Sequence, residues 1–280
     1  MKKIRNCKSG ALNTGTSKCP LDFKQIKYAL IMAHGQKLPE QLTAQTFEKL
    51  CHDDLPARVC PVGEFVDYAK EGGEVQTSNV GYGPTAPNGV SAQKDTLTLG
   101  KSDDALRASL LRGMNEPRDV YFVDGDNIIY GYDDGTDILA GIPMSSVYPD
   151  GAVFSGAEKA PMTVNFCYAD IRDALEHINF MQLDFDISSV AMGLVGVILK
   201  EVSTGQYKII EEIGGLDRTE EFGQAIQTGA STCVLNGSTV TYKSGQIAIT
   251  SDSTPTLAAP SVLYAAEVKG IYYVRTEKTK

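Results

Sequence analysis

The chain has no tryptophan, three histidines and no cysteine pair at C-x-x-C spacing. It also lacks any apolar run approaching the roughly 18 residues that a membrane helix needs. Each absence removes a class of function. Cys7, Cys19, Cys51, Cys60, Cys167 and Cys233 are scattered, so the dense ligand spacing of a zinc module is missing. Cys51-His52 with Cys60 is the one cluster of metal-ligating types, and ordinary thiols are the plainer reading. Cys7 and Cys19 bracket a Gly/Ser/Thr-rich segment and could meet in a loop, although a disulfide is unusual in a reducing compartment. None of His34, His52 and His177 lies near a G-x-S-x-G serine or in an H-E-x-x-H pair. The sequence therefore offers no catalytic residue, no cofactor-binding residue and no metal ligand set, and the expectation is that the protein is not an enzyme.

A basic excess is missing too. Lys and Arg number 26 against 35 Asp and Glu, giving a net charge of -9 and a pI near 4.9. That argues against a general nucleic-acid binder, which needs a basic face to displace counterions. An acidic surface can still serve DNA in the opposite sense, as a wall that repels phosphate and does not trap a passing duplex. Met1-Lys2-Lys3-Ile4-Arg5 looks like the start of a signal peptide, but polar Asn6 to Gly10 follows in place of an apolar segment. Synthesis in a reducing cytoplasm, with no membrane partner, is the expectation.

What is present suits a soluble globular protein of one large domain or two ordinary ones. Residues 1–20 are polar and turn-rich and read as an extended arm. Ile26 to Ala33 reads as a strand, and Thr43 caps a short helix carrying Phe47, Leu50 and Cys51. Val75 to Gln93 is rich in Gly and Pro and reads as a long loop, which in an assembly subunit could order on a neighbour. From Asp95 to Tyr132 the pattern is strand, helix and hairpin. Thr96 to Leu99 alternates; Ser102 is a helix cap ahead of Asp103 and Asp104. Leu106, Leu110, Leu111 and Met114 form an apolar stripe, and Asp124-Gly125-Asp126-Asn127 is a hairpin turn. Ile138 to Val147 is a further strand. In Met162 to Tyr168, Met162, Val164, Phe166 and Tyr168 fall on one face, with Thr163 and Asn165 toward water on the other. Asp170 then caps a helix with Ile171, Ala174, Leu175 and Ile178 in register, leaving His177 on its exposed side.

Near residue 188 the composition shifts to short strand-like runs: Leu194–Leu199, Tyr207–Ile210, Thr232–Leu235, Thr239–Tyr242, Gln246–Thr250, Val262–Ala265 and Ile271–Val274. Asn236-Gly237 is the strongest hairpin signal among them. This is the pattern of an immunoglobulin-like sandwich, with a helical turn at Thr219 to Thr228. The predicted domains are 1–187, a β domain with the arm and the loop at about 75–93, and 188–280, the sandwich.

Three stretches invite chemistry and yield to plainer readings. Gly100-Lys101-Ser102 opens a helix, but Asp95 stands where a phosphate loop needs its first glycine. Gly81-Tyr82-Gly83 does not open a helix after a strand. Asp124, Asp126, Asp133, Asp134 and Asp137 form an acidic cluster, yet Ile128-Ile129-Tyr130 continues as strand where a calcium loop needs ligands.

The matching stretches are DTLTLGKSDDALRASLLRG (strand and helix), VYFVDGDNIIYGY (hairpin), MTVNFCYADI (small-polar strand) and the β-rich residues 188–280. In this order, with the arm and the long loop, the chain resembles the tail tube proteins of tailed bacteriophages. The resemblance implies a mainly β fold, a tail-tube-like sandwich or barrel with one or more packed helices plus the C-terminal immunoglobulin-like sandwich. It implies a virion structural protein, assembled in the host cytoplasm, whose stacked rings, hexameric in that family, form a conduit for DNA. Its partners would be itself, other tail proteins and DNA passing without specific binding. It carries over no catalytic residue, cofactor or metal. The helices near Thr43 and at Asp170 to Phe180 exceed a minimal tube subunit. Two alternatives stay open: another virion component (neck, ring or capsid decoration), and a surface-binding module acting through the C-terminal sandwich.

Overall fold

The computed structural model describes residues 24–79, 81–83, 85–151 and 161–278. The expected N-terminal arm, Cys7 and Cys19 lie outside the described residues. Strand accounts for 45% and helix for 19%, so the chain is mainly β with flanking helices. It divides into two compact units, 1–44 with 61–190, and 45–60 with 191–280.

The first unit is built from β1 (Ile26–Ala33), β2 (Cys60–Gly63), β3 (Phe65–Gly72), β4 (Val75–Ser78), β5 (Ala86–Val90), β6 (Gln93–Leu99), β7 (Arg118–Asp124), β8 (Ile128–Tyr132), β9 (Ile142–Asp150), β10 (Met162–Tyr168) and β11 (Ile178–Gln182). Its sheet runs β11–β8–β7–β9–β10–β6–β3, and β1 pairs both β7 and β2. Because β2 leads into β3 through Glu64, the strands β1, β7, β9, β10, β6 and β3 close into a barrel. The period-two pattern explains the filling: Ala29, Ile31, Leu97, Leu99, Val120, Phe122, Val164 and Phe166 alternate inward and form one core. Phe166 sits at its centre, edge-on to Phe65 at 6.3 Å and to Phe122 at 5.2 Å. Closure leaves few edges open to stray pairing.

Two helices flank this unit. In α2 (Asp104–Arg112) the cap is Asp103, whose carboxylate accepts from Leu106 N–H, and not Ser102 one residue earlier. Leu106 and Leu110 pack on the core, whereas Leu111 and Met114 are exposed, so only half of the predicted stripe is used. α3 (Ile171–His177) is capped by Asp170 as expected but ends at His177, and Ile178 opens β11. The hairpin at Asp124 to Asn127 forms as predicted: the buried Asp124 carboxylate accepts from Asp126 N–H and Ile128 N–H.

The second unit contains α1 (Ala44–Cys51), β12 (Val195–Ser203), β13 (Gln206–Glu211), α4 (Thr219–Thr228), α5 (Ala230–Cys233), β14 (Val234–Leu235), β15 (Thr239–Lys243), β16 (Gln246–Thr250), β17 (Thr256–Leu257), α6 (Pro260–Ala265) and β18 (Ile271–Glu277). The predicted sandwich needs two antiparallel sheets face to face. The longer strands instead share one sheet, β15–β16–β13–β12–β18, in which β12 and β18 run parallel. α4 packs on it so closely that a Cβ on Gly223 would come within 2.3 Å of the Tyr242 ring. Two predicted strands are wholly or partly helical. Val262–Ala265 lies in α6, where Pro260 pre-sets the first turn, and Thr232-Cys233 ends α5. Asn236 takes the left-handed conformation of a turn, yet β14 pairs β17 and β15 pairs β16, so no hairpin forms across it.

α1 and the loop after it belong to this unit. Phe47 and Cys51 are buried, and His52 stacks on Tyr264 at 4.6 Å. Gly270 N–H donates to His52 Nε2 at 3.0 Å, so Nδ1 carries the proton it shares with the Glu48 carbonyl. Lys269 pairs with Glu48 at 2.9 Å, and Ser261 donates to Asp54 at 2.7 Å.

Candidate functional site

Register on the outer side of the barrel builds a polar grid. β9 contributes Ser146, Tyr148 and Asp150; β10 contributes Cys167, Asn165 and Thr163; β6 contributes Lys94, Thr96 and Thr98; β3 contributes Glu71, Ala69 and Asp67. Read across the sheet, the rows are Ser146–Cys167–Lys94–Glu71, Tyr148–Asn165–Thr96–Ala69 and Asp150–Thr163–Thr98–Asp67. Hydroxyls are the most numerous groups, no aliphatic side chain larger than alanine intrudes, and carboxylates outnumber the single ammonium. Lys94 is held by Glu71 at 2.6 Å, which leaves Asp67 and Asp150 to set the sign of the face.

Asn165 differs from its expected place in water. It is 2% exposed, lying between Thr96 on β6, which donates to its Oδ1 at 2.6 Å, and Tyr148 on β9. Its Nδ2 has no partner among the described residues. Burial and the Cys167 contact raise the Tyr148 hydroxyl above its ordinary value.

At one end of the same strands lies a group that no sequence motif marks. Asp95 is 6% exposed and shares the inward face of Leu97 and Leu99. Its carboxylate accepts from Tyr68 at 3.1 Å, Gln93 at 2.9 Å and Tyr168 at 2.7 Å, joining β3, β6 and β10. Burial, then the Asp95 charge, pushes the Tyr68 hydroxyl up to about 12 and the Tyr168 hydroxyl further. Parity was the available signal: in Asp95-Thr96-Leu97-Thr98-Leu99 the acid falls on the apolar phase.

The second candidate surface is the former loop. It is not structureless: β4 and β5 pair as a ribbon continuing β3 and β6, with every described residue from Val75 to Gly89 exposed. Gly81-Tyr82-Gly83 lies at its tip. At its base Gly72 has φ +77, and a Cβ there would lie 1.9 Å from the Ala92 carbonyl oxygen, so glycine fixes how the arm leaves the barrel.

The remaining sequence candidates resolve into structural roles. Gly100-Lys101-Ser102 precedes the Asp103 cap. Asp126 pairs with Lys24, and Asp133 accepts from Gly135 N–H and Asn179. Asp134 pairs with Lys37 and accepts from Thr136; the Lys37 contact, then Thr136, holds its carboxyl below the usual range. His34 contacts the buried Asp119 at 2.8 Å, and His177 contacts Asp173 beside Tyr132. Cys51 is buried, with its thiol pushed up to about 12 by burial, and both nitrogens of the neighbouring His52 are engaged. Cys60 is exposed and Cys233 buried. Among the described residues no group of three His, Cys, Asp or Glu is placed to hold a metal ion, and no helix is long and apolar enough to cross a membrane.

No family model matches this chain, and no curated protein does. Among solved structures, the anti-feeding prophage cap (AFP tube terminating cap), seen by cryo-electron microscopy, is similar at a TM-score of 0.26 and 8% identity, covering 61% of this chain and 99% of that chain. An overlap this low does not establish a shared fold. The barrel, the polar grid and the arm therefore stand on their own geometry.

The ion pairs give a pH prediction. Asp134 and Glu48 are both held below their ordinary values, chiefly by hydrogen bonds from Lys37 and Lys269. A depressed carboxyl stabilises the fold fully above its unfolded value, about pH 4, and that contribution disappears as pH falls toward the folded value. Thermal midpoints should therefore fall between roughly pH 5 and 3. Lys37→Met should flatten the acid slope of the first unit and Lys269→Met that of the second; slopes unchanged in both variants would contradict the assignment.

Proposed function

We propose that this chain is a virion structural protein, a subunit of a phage tail tube that assembles with copies of itself into stacked rings around a channel for DNA. The polar grid carries the reading. A sheet face rich in hydroxyls, with net negative sign and its one ammonium paired, does not attract phosphate, so a duplex can slide past it. Six-fold symmetry and contacts with other tail proteins belong to the same proposal, as does a place in the virion. It assigns no reaction, cofactor or metal to any residue.

The arm supports an assembling subunit. A two-stranded ribbon is marginal alone in water, and this one buries none of its described residues between Val75 and Gly89. Replacing residues 75–90 by two glycines should abolish the stacking of rings while leaving the thermal transition of the barrel nearly unchanged. A large loss of stability would make the ribbon part of the core, and stacking that survives would remove it from the assembly.

A further inference from the structure

The open backbone of the barrel sheet, including β3 beyond the point where β2 meets β1, and that of the arm are treated differently. On β3, Tyr68 N–H is taken by the Asp67 carboxylate at 2.8 Å, and the Val66 carbonyl accepts from the Gln25 amide at 3.3 Å. On β11, at the other end of the sheet, Phe180 N–H is taken by the Asn179 side chain at 2.9 Å. Side chains thus occupy backbone groups that an incoming strand would need. The arm has no such device: among its described residues from Val75 to Val90, no side chain caps a backbone group.

Charge separates the arm from the rest as well. From Val75 to Gln93 the sequence has no Asp, Glu, Lys or Arg, in a chain whose net charge is -9. Two copies repel over most of their surfaces, and the arm is a stretch along which they can approach without like charges meeting. A ribbon also becomes stable when further strands join it.

We infer that the arm edges pair with those of a second copy's arm, β4 of one against β5 of the next. Main-chain hydrogen bonds supply the attraction. The lack of charge lets the same pairing repeat from copy to copy. Pro87 brings no N–H to its edge, so donors on this side come from its neighbours in β5. This inference rests on the assembly proposed above and names the surface through which one contact is made.

The test uses two full-length variants, Gln76→Glu with Asn88→Glu, and Gln76→Lys with Asn88→Lys, compared with the unaltered chain by sedimentation velocity. Each variant alone should associate about tenfold more weakly, because like charges meet across the new strand pair. An equimolar mixture should recover association, since acidic and basic arms then alternate. Within each copy the like charges remain, so recovery reports pairing between copies and not repair of the arm. Variants that associate as the unaltered chain does, or a mixture no better than its components, would overturn the arm pairing. An unaltered chain that never associates would instead overturn the assembly itself.

Discussion

Phe166→Ala should lower the stability of the first unit by about 3–5 kcal/mol, the range for deleting a fully buried aromatic ring. Phe166 is 0% exposed and bridges Phe65 on β3 to Phe122 on β7. Those strands lie on opposite sides of β10 in sheet order, so the ring fills the space that closure creates. The two edge-to-face contacts add to its area burial, each about 0.5–1.5 kcal/mol in general. A domain holds only about 5–15 kcal/mol in total, so the variant should be largely unfolded at 37 °C or lose most of its urea tolerance. Phe166→Leu, which keeps most of the volume, should recover more than half of the loss. Urea titration followed by circular dichroism reads both. A cost below about 1 kcal/mol for the alanine variant would mean that the strands do not close around this ring.

The second large effect is expected at Asp95. Asp95→Ala removes the acceptor of two tyrosine hydroxyls and one amide, and should cost about 2–4 kcal/mol. The single deletions should rank below it. Tyr168→Phe should cost about 1 kcal/mol, while Tyr68→Phe should cost less, because Tyr68 is 50% exposed and its hydroxyl can turn to water. Asp95→Leu combined with both phenylalanine changes should recover much of the stability, since both hydroxyls are then gone and only the half-buried Gln93 amide, which can turn to water, loses its acceptor. Asp95→Ala costing no more than Tyr68→Phe would contradict the network.

Much of the first unit was legible because local pattern and tertiary demand agree. β10 spans Met162–Tyr168 as the alternation implies, and β1 and the Asp124 hairpin fall where predicted. The burial of Asp95 was not read from the sequence, where it figured only as a break in a phosphate-loop pattern, although the parity of its strand puts it on the apolar phase. Closure of the barrel was not legible. It depends on β1 meeting both β7 and β2, pairings whose register no local pattern specifies. The ribbon at β4 and β5 read as a loop because Gly, Pro and a register irregularity at Gln76 interrupt the alternation on which a strand assignment rests. In the second unit, Val262-Leu263 reads as strand by composition, and Pro260 with the alanines that follow decides for helix. The membership of α1 rests on His52, Glu48 and Asp54 finding partners more than two hundred residues away.

The polar grid was half visible. Thr163 was expected on the small-polar face, but Asn165 is covered by neighbours from β6 and β9 that a single strand cannot reveal. What makes the face a functional candidate is that four strands together make it polar, with a net negative sign. That agreement is a property of register, and it appears only once the strands are placed side by side.

Negative-stain electron microscopy of the purified full chain decides whether it assembles into rings. A tube subunit should form concentration-dependent rings with a stain-filled central pore, some of them stacked into short tubes. Uniformly dispersed monomers, persisting at the highest soluble concentration, would contradict it.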